Sequence, residues 1–172
     1  MSGADNQQER PAIEAIDASL GSFLSGFALG EGSFMIVCRV RGGRRGYRLS
    51  GAFNVSQRDR VPLVLFQETL GCGTLRRAGN GGWYWEVNRA MDLQDSIVPF
   101  FDRFPVVGEK AETYRLWRRA VALLAGGPLS DRDYHQVLAL RERMNRGGKR
   151  RHRMAGILRD YTPGLSLRPG TG

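Results

Sequence analysis

The sequence is short of the residue types that build covalent or metal-stabilised frameworks. It contains two cysteines, Cys38 and Cys72, and two histidines, His135 and His152, among 172 residues. Two thiols cannot form a disulfide framework, and a zinc site assembled from these four residues is not expected. Both cysteines are therefore interpreted as packing residues.

Long apolar segments are missing as well. The chain has no run of about 18 apolar residues, the length that a membrane-spanning helix needs. Its first ten residues are polar and lack the apolar centre of a secretion signal. The sequence therefore predicts an intracellular, cytoplasmic protein with no membrane partner.

Lysine is the scarcest charged residue. Only Lys110 and Lys149 are lysines, so arginine supplies nearly all of the 26 basic side chains, against 17 acidic ones. The formal charge of +9 and the pI of about 10.5 favour a polyanionic partner, nucleic acid ahead of an anionic membrane surface. Frequent Arg, Gly and Ala also indicate coding by a GC-rich genome, which favours a bacterium or its phage over an AT-rich organelle.

Hydrophobic periodicity divides the chain into helices and two hairpins. Asp17 or Ser19 can cap a helix over residues 20–30, and from Ser33 the period changes from helical to two. Strands over 33–41 and 47–57 flank one glycine-rich loop, and strands over 72–77 and 83–87 flank another. Further helices are predicted over 59–70, 93–101, 109–125 and 130–145.

This order of helix, hairpin, helix, hairpin and further helices predicts an α+β fold with a four-stranded antiparallel sheet. A single packed domain is expected over residues 17–146. Residues 1–16 are interpreted as a loose lead-in. Residues 147–172 form a basic tail, which is either a disordered, solvated segment or an arm that contacts phosphate.

The most informative segment is residues 23–34, with the sequence FLSGFALGEGSF. Gly26 and Gly30 lie four apart on one helical face, where the backbone could approach another helix closely; packing inside the same subunit is the alternative. Glu31 at the helix end opposes the helix dipole, a cost of about 0.3–1 kcal/mol that a bound divalent cation would reverse. Carboxylate and terminal carbonyl oxygens are both suited to such an ion.

Residues 24–34 resemble the signature of the LAGLIDADG homing endonucleases, specifically the class with one motif per chain. The resemblance extends over about residues 20–125, with both hairpins in order. It implies a LAGLIDADG homing endonuclease-like fold with a DNA-binding sheet. It also implies that the protein cleaves double-stranded DNA at a specific site and is encoded by an intron or another mobile element. The sequence departs from the signature at Leu29, where the family name has an acidic residue, and this change is interpreted as affecting helix packing more than cleavage.

The resemblance also implies a set of catalytic residues. Glu31 would bind Mg²⁺ together with the backbone carbonyl of Gly30; Mn²⁺ is expected to substitute, and Ca²⁺ to support binding without efficient cleavage. Gln57 matches a polar residue that organises metal-bound water, and Lys110 matches a lysine near the scissile phosphate. Without those roles, Gln57 is an ordinary polar strand end and Lys110 a surface residue that begins a helix.

A homodimer is expected because one Glu31 serves one DNA strand, and the sequence contains one copy of the motif. Its interface would contain Ser25, Gly26, Leu29 and Gly30. Each subunit would read half of a pseudo-palindromic target in the major groove, using the solvent face of its sheet. The candidate DNA contacts are Arg39, Arg41, Arg44, Arg45, Arg48, Ser50, Asn54, Thr74 and Arg76. Trp83 and Trp85 share one strand face, which is assigned to packing, with DNA contact as the alternative.

Two other functions are consistent with the same fold. A cleavage-inactive DNA-binding regulator would retain the basic strands, but it would not need the acid at Glu31. An intron RNA maturase could retain every residue named above, so RNA is expected as a partner only if that activity exists.

Overall fold

The first helix begins at a side-chain cap. The computed structural model describes residues 11–40, 46–79, 81–144 and 153–161. In it, helix α1 spans Ala18–Glu31, and Asp17 is the cap: its Oδ1 accepts the backbone N–H groups of Ser19 and Leu20 at 2.9 and 3.0 Å. Strand β1 follows without a linker, because its first residue is Gly32.

The sheet has four antiparallel strands, as predicted. These are β1 (Gly32–Val40), β2 (Tyr47–Gln57), β3 (Thr74–Arg77) and β4 (Trp83–Val87). Their order in space is β1-β2-β4-β3, so the second hairpin joins the first through its later strand. Phe34 is the register partner of Phe53, and Phe53 is that of Val87, which places three apolar side chains in one row across the sheet.

Helices cover one face of this sheet. Helix α2 (Val61–Leu70) ends at Gly71 in the left-handed conformation, and Phe66 on this helix stacks on Trp85 of β4 with centroids 5.3 Å apart. Trp85 is fully buried and its Nε1 donates to the Cys72 carbonyl at 3.0 Å. Trp85 therefore packs in the core, as assigned from the sequence.

The later helices enclose the remainder of that face. Helix α3 (Ala90–Asp92) continues through a π turn (Leu93–Ile97) into α4 (Val98–Arg103), and α5 (Gly108–Ala125) and α6 (Asp131–Met144) follow. Trp117 of α5 is fully buried, and its Nε1 lies 3.2 Å from the Met35 carbonyl and 3.1 Å from the Ala52 carbonyl, which fixes α5 to β1 and β2. Among the described residues, no helix is both long enough and apolar enough to span a membrane.

Both ends of the described chain pack more closely than the sequence indicated. Ile13 and Ile16, within the expected lead-in, are buried, and Arg103 donates to the Ile13 carbonyl. Within the expected tail, helix α7 (Met154–Arg159) buries Ile157 completely, and Tyr161 stacks on Tyr134 of α6 at 4.5 Å. Residues 153–161, part of the segment interpreted as either a disordered tail or a phosphate-contacting arm, thus pack on the core through Ile157 and Tyr161. Residues 1–10, 145–152 and 162–172 lie outside the described residues.

Candidate active site

Glu31 occupies the joint between α1 and β1. It is the last residue of the helix, and its side chain is exposed. Gly32 makes the direct change from helix to strand possible: its N–H donates to the Ala28 carbonyl, and a Cβ at this position would lie 2.6 Å from that oxygen. The backbone of Glu31 is therefore fixed at the point where the helix meets the sheet.

Lys110 reaches the same joint from the first turn of α5. Its Nζ donates to the Gly32 carbonyl at 2.5 Å and lies 3.3 Å from the Ala28 carbonyl. Burial lowers the pKa of Lys110, while the nearby Glu31 carboxylate acts in the opposite direction. The structure thus brings Lys110 beside Glu31, and it shows a structural role for the lysine, which donates to carbonyl groups on both sides of the α1–β1 joint.

Gln57 lies at the same end of the sheet. Val55 is the register partner of Gly32, so Gln57 is two residues further along β2, just beyond the point where β1 begins. The side chain is half-buried, and its Oε1 accepts the Arg58 backbone N–H at 2.7 Å. Three residues from α1, β2 and α5 therefore gather at one end of the sheet.

This end of the sheet offers some, but not all, of the oxygen ligands that a hard cation such as Mg²⁺ needs. Across the described ranges, no group of three or more His, Cys, Asp or Glu side chains could hold a metal ion. Glu31 offers an exposed carboxylate next to the Gly30 backbone carbonyl, and both are oxygen donors of the kind that Mg²⁺ prefers. A cation bound here would complete its coordination with water and with oxygens of a ligand, as Mg²⁺ at phosphate sites commonly does.

The solvent face of the sheet carries the described DNA-contact candidates. Strand register places Ser33, Asn54, Glu86 and Thr74 in one row across the four strands. Ser56, Tyr84 and Arg76 form the next row, and Arg39 and Arg48 are direct partners near the far end of the first hairpin. Ser50 pairs with Val37 on this face. Arg41, Arg44 and Arg45 lie outside the described residues.

Two residues of this face were missed by the sequence analysis. Tyr84 and Glu86 alternate with Trp83 and Trp85, so the period of two in β4 would have placed them opposite the tryptophans. The guanidinium of Arg76 lies over the Tyr84 ring, 4.9 Å from its centroid, and pairs with the Glu86 carboxylate. Arg76 is therefore held by two neighbours on the same face.

Of the four α1 residues expected at the dimer interface, all but Ser25 are exposed. Phe23 and Leu29 are 50% and 38% exposed, and no atom lies within 4 Å of a Cβ built on Gly26 or Gly30, which are exposed beside them. Ser25, expected at an interface, is instead only 6% exposed. Together with Gly26 and Leu29, it lines a groove against residues 103–107.

These features belong together in one protein family. The sequence profile of the LAGLIDADG endonuclease family matches residues 24–121, more than half of the chain. The chain is a member of the LAGLIDADG endonuclease family.

Two solved structures show the same fold. The chain superposes on the meganuclease I-SmaMI bound to uncleaveable DNA with a TM-score of 0.67 and 26% identity, covering 74% of this chain and 46% of that chain. It superposes on the homing endonuclease I-TnaI with a TM-score of 0.66 and 23% identity, covering 74% of this chain and 89% of that chain. The predicted LAGLIDADG homing endonuclease-like fold is confirmed.

Two curated relatives come from fungi. One is the probable intron-encoded endonuclease 3 of Neurospora crassa, 28% identical over 67% of this chain and 22% of the relative. The other is an uncharacterized 50.9 kDa protein in ND4 intron 1 of Podospora anserina, 29% identical over 59% of this chain and 24% of the relative. The chain thus spans about a quarter of the length of the curated relatives that it matches.

These relatives correct the prediction of origin. A cytoplasmic protein from a bacterium or phage was expected, the source because of the frequent use of arginine, glycine and alanine. This expectation is wrong, since both relatives are associated with introns of fungi. Amino-acid usage of this kind reflects the base composition of the coding DNA, which is independent of fold and does not identify the lineage that carries the gene.

Proposed function

We propose that the protein is a site-specific endonuclease that cuts double-stranded DNA as a homodimer, with Mg²⁺ held by Glu31 in each subunit. The observation that carries the proposal is the meeting of Glu31 and Lys110 at the α1–β1 joint, at the end of a sheet whose solvent face is rich in arginine. At one end of a DNA-binding surface, an acid can hold the metal ion that assists phosphodiester hydrolysis, and a lysine can stabilise charge on the phosphate.

The reaction needs a positioned water, neutralised phosphate charge and a stabilised leaving oxygen. A divalent cation bound at Glu31 would supply Lewis acidity for these steps. Lys110 places a compact positive charge beside the carboxylate, where it can stabilise charge that develops on the phosphate. Gln57, at the end of β2, offers an amide that can orient water near the same point. We expect Ca²⁺ to permit binding without efficient cleavage, and Mn²⁺ to replace Mg²⁺.

A second copy of the chain is the proposed occupant of the exposed α1 face. Glycine within a helix costs about 0.5–1 kcal/mol relative to alanine, so the two open positions Gly26 and Gly30 need a compensating contact. Close approach of a partner helix provides one. The chain also covers only 46% of I-SmaMI, whose length is sufficient for two such units. Two chains would place two Glu31 residues together, one for each DNA strand.

The sheet of each subunit would then read one half of a pseudo-palindromic target. Arg39 and Arg48 are direct cross-strand partners, and like charges in this position are unfavourable without an anion between them. Arginines, Ser50, Asn54 and Thr74 together offer donors and acceptors for the major groove. A DNA duplex bound along this face would relieve the repulsion between the two arginines, because its phosphates are negatively charged.

Replacement of the acid tests the proposal directly. Glu31→Gln keeps the side-chain shape but removes the charge, so single-turnover cleavage in Mg²⁺ should fall by roughly 100-fold or more. Substrate is obtained by cleaving a randomised duplex library with the parent protein and sequencing the captured ends. Binding of the selected duplex in Ca²⁺ should remain near the parental value.

Glu68→Gln is the matched control, because Glu68 is an exposed acid on α2 that has no role in the proposed site. It should cleave at the parental rate. If Glu31→Gln also cuts at that rate, Glu31 does not hold the metal. If the parent protein cleaves RNA but not duplex DNA, the proposed DNA endonuclease function is wrong.

A further inference from the structure

Arg76, Tyr84 and Glu86 form a compact group on the DNA-facing side of β3 and β4, here called the Arg76 cluster. Tyr84 is the register partner of Arg76, and Glu86 is the partner of Thr74 two positions along. One guanidinium nitrogen of Arg76 donates to Glu86 Oε2, and the guanidinium carbon lies 4.9 Å from the centre of the Tyr84 ring. The side chain is therefore restrained on two sides by residues of the neighbouring strand.

The solvent exposure of the side chains shows that Arg76, and not Glu86, is accessible to a ligand. The Glu86 side chain is 14% exposed, whereas that of Arg76 is 48% exposed. A guanidinium carries five N–H donors in a planar fork, and the pair with Glu86 occupies one of its nitrogens. Arg76 thus keeps most of its donors for an external acceptor, while Glu86 lies largely beneath the surface.

The charge of the cluster favours a base over a phosphate. A carboxylate close to the guanidinium offsets most of its positive charge and would repel an approaching phosphate. Directional N–H donors remain, and these suit a neutral acceptor. Arg39 and Arg48 contrast with this arrangement, because their register positions set two cations side by side. The cluster is accordingly suited to read sequence and not simply to attract the DNA backbone.

We infer that Arg76 reads one guanine in each half-site of the target, and that Glu86 is a positioning residue that orients Arg76 against Tyr84. Guanine presents O6 and N7 side by side in the major groove, and this spacing matches two N–H groups of a guanidinium. The inference rests on the proposed function, since it requires that the sheet contacts duplex DNA. Glu86 acts only through Arg76, and its removal should change selectivity more than affinity.

The test compares base preferences among variants of the full chain. Parent, Arg76→Ala, Glu86→Gln and the double variant are each allowed to bind randomised duplex DNA in Ca²⁺, and the bound fractions are sequenced. Arg76→Ala should lose a guanine preference of about five-fold or more at one position in each half-site. Glu86→Gln should lose much of the same preference and leave other positions unchanged. The double variant should match Arg76→Ala alone, because Glu86 has nothing left to orient.

Arg77→Ala is the matched control. Arg77 follows Arg76 in β3 but lies on the opposite face, against the Trp83 ring at 5.4 Å. This variant should keep the guanine preference, and thermal unfolding should show Glu86→Gln to be folded. A Glu86→Gln protein with parental preference would overturn the positioning role.

Two further outcomes separate the possible failures. If Arg76→Ala weakens binding equally for all sequences and makes the salt dependence shallower by about 0.9 in log–log slope, Arg76 contacts phosphate and the inference is overturned. If the parent protein enriches no sequence at all, the proposed function is overturned, and this inference with it. Selectivity that survives Arg76→Ala unchanged overturns the inference alone.

Discussion

Lys110 has a structural role and a proposed catalytic role, and the two must be measured separately. Its Nζ satisfies carbonyl groups at the end of α1, and the same ammonium lies beside Glu31. Arginine is used almost everywhere else in the chain. A lysine suits this position because a compact ammonium fits between two carbonyl oxygens, whereas a planar guanidinium fork requires a wider acceptor geometry.

Substitution of Lys110 should affect cleavage more than stability. Lys110→Arg keeps the charge but not its shape, so it should bind the target normally and cut more slowly, and Lys110→Met should cut more slowly still. Loss of the two hydrogen bonds should lower the free energy of unfolding by only about 1–2 kcal/mol. Single-turnover cleavage at saturating Mg²⁺, binding in Ca²⁺ and urea unfolding measure the three quantities.

Arg115→Met serves as the comparison for Lys110→Met, since it removes one exposed charge from a different side of α5. Its cleavage rate should equal that of the parent. If Lys110→Met cuts as fast as the parent, the lysine is a structural cap alone, and the family resemblance has misassigned it.

At the scale of elements, α1 and β1 are joined directly, with no loop residues between them. The helix ends at Glu31 and the strand begins at Gly32, so any shift of one element moves the other. The Gly32 carbonyl also accepts the Lys110 ammonium. The position of Glu31, the acid proposed to hold the metal, therefore depends on a glycine that performs no chemistry.

Gly32→Ala should damage the joint. The new Cβ would lie 2.6 Å from the Ala28 carbonyl oxygen, so the backbone must move, at a cost of about 1–3 kcal/mol in the free energy of unfolding. Cleavage should fall further than stability predicts, because Glu31 moves with the joint. Urea unfolding and single-turnover cleavage are compared with those of Gly79→Ala, where a Cβ meets nothing within 4 Å. Parental stability in Gly32→Ala would show that the joint can relax.

For the whole molecule, the proposed homodimer would bring two sites together, one for each DNA strand. Gly26→Leu introduces a large side chain on the exposed α1 face, where a Cβ meets nothing of its own chain within 4 Å. Helix propensity should keep the monomer folded, since leucine favours helix over glycine. In the proposed homodimer the partner helix could then no longer approach, so sedimentation should show a monomer at micromolar concentration, and double-strand cleavage should be lost.

Ala122→Leu, an exposed change of similar size on α5, should leave both the assembly and cleavage unaltered. A parent protein that sediments as a monomer, or a Gly26→Leu protein that remains dimeric and active, would contradict the proposed interface.

Local sequence pattern determined the elements and much of the candidate site. The period of two from Ser33 predicted both strands of the first hairpin, and the glycines around Glu31 predicted the end of a helix. Such features depend on neighbours within a few residues, so the pattern is sufficient to find them. The candidate Lys110, by contrast, came from a resemblance, and no local property of residues 104–111 predicts contact with Gly32.

Tertiary packing decided the remainder. The insertion of β4 between β2 and β3, the burial of Ser25 and the docking of α7 all depend on residues distant in sequence. The sequence pattern could not predict them, because it shows which side chains are buried but not which surface each one packs against. The surface it meets is selected by the fit of the whole core, where close packing allows few alternatives.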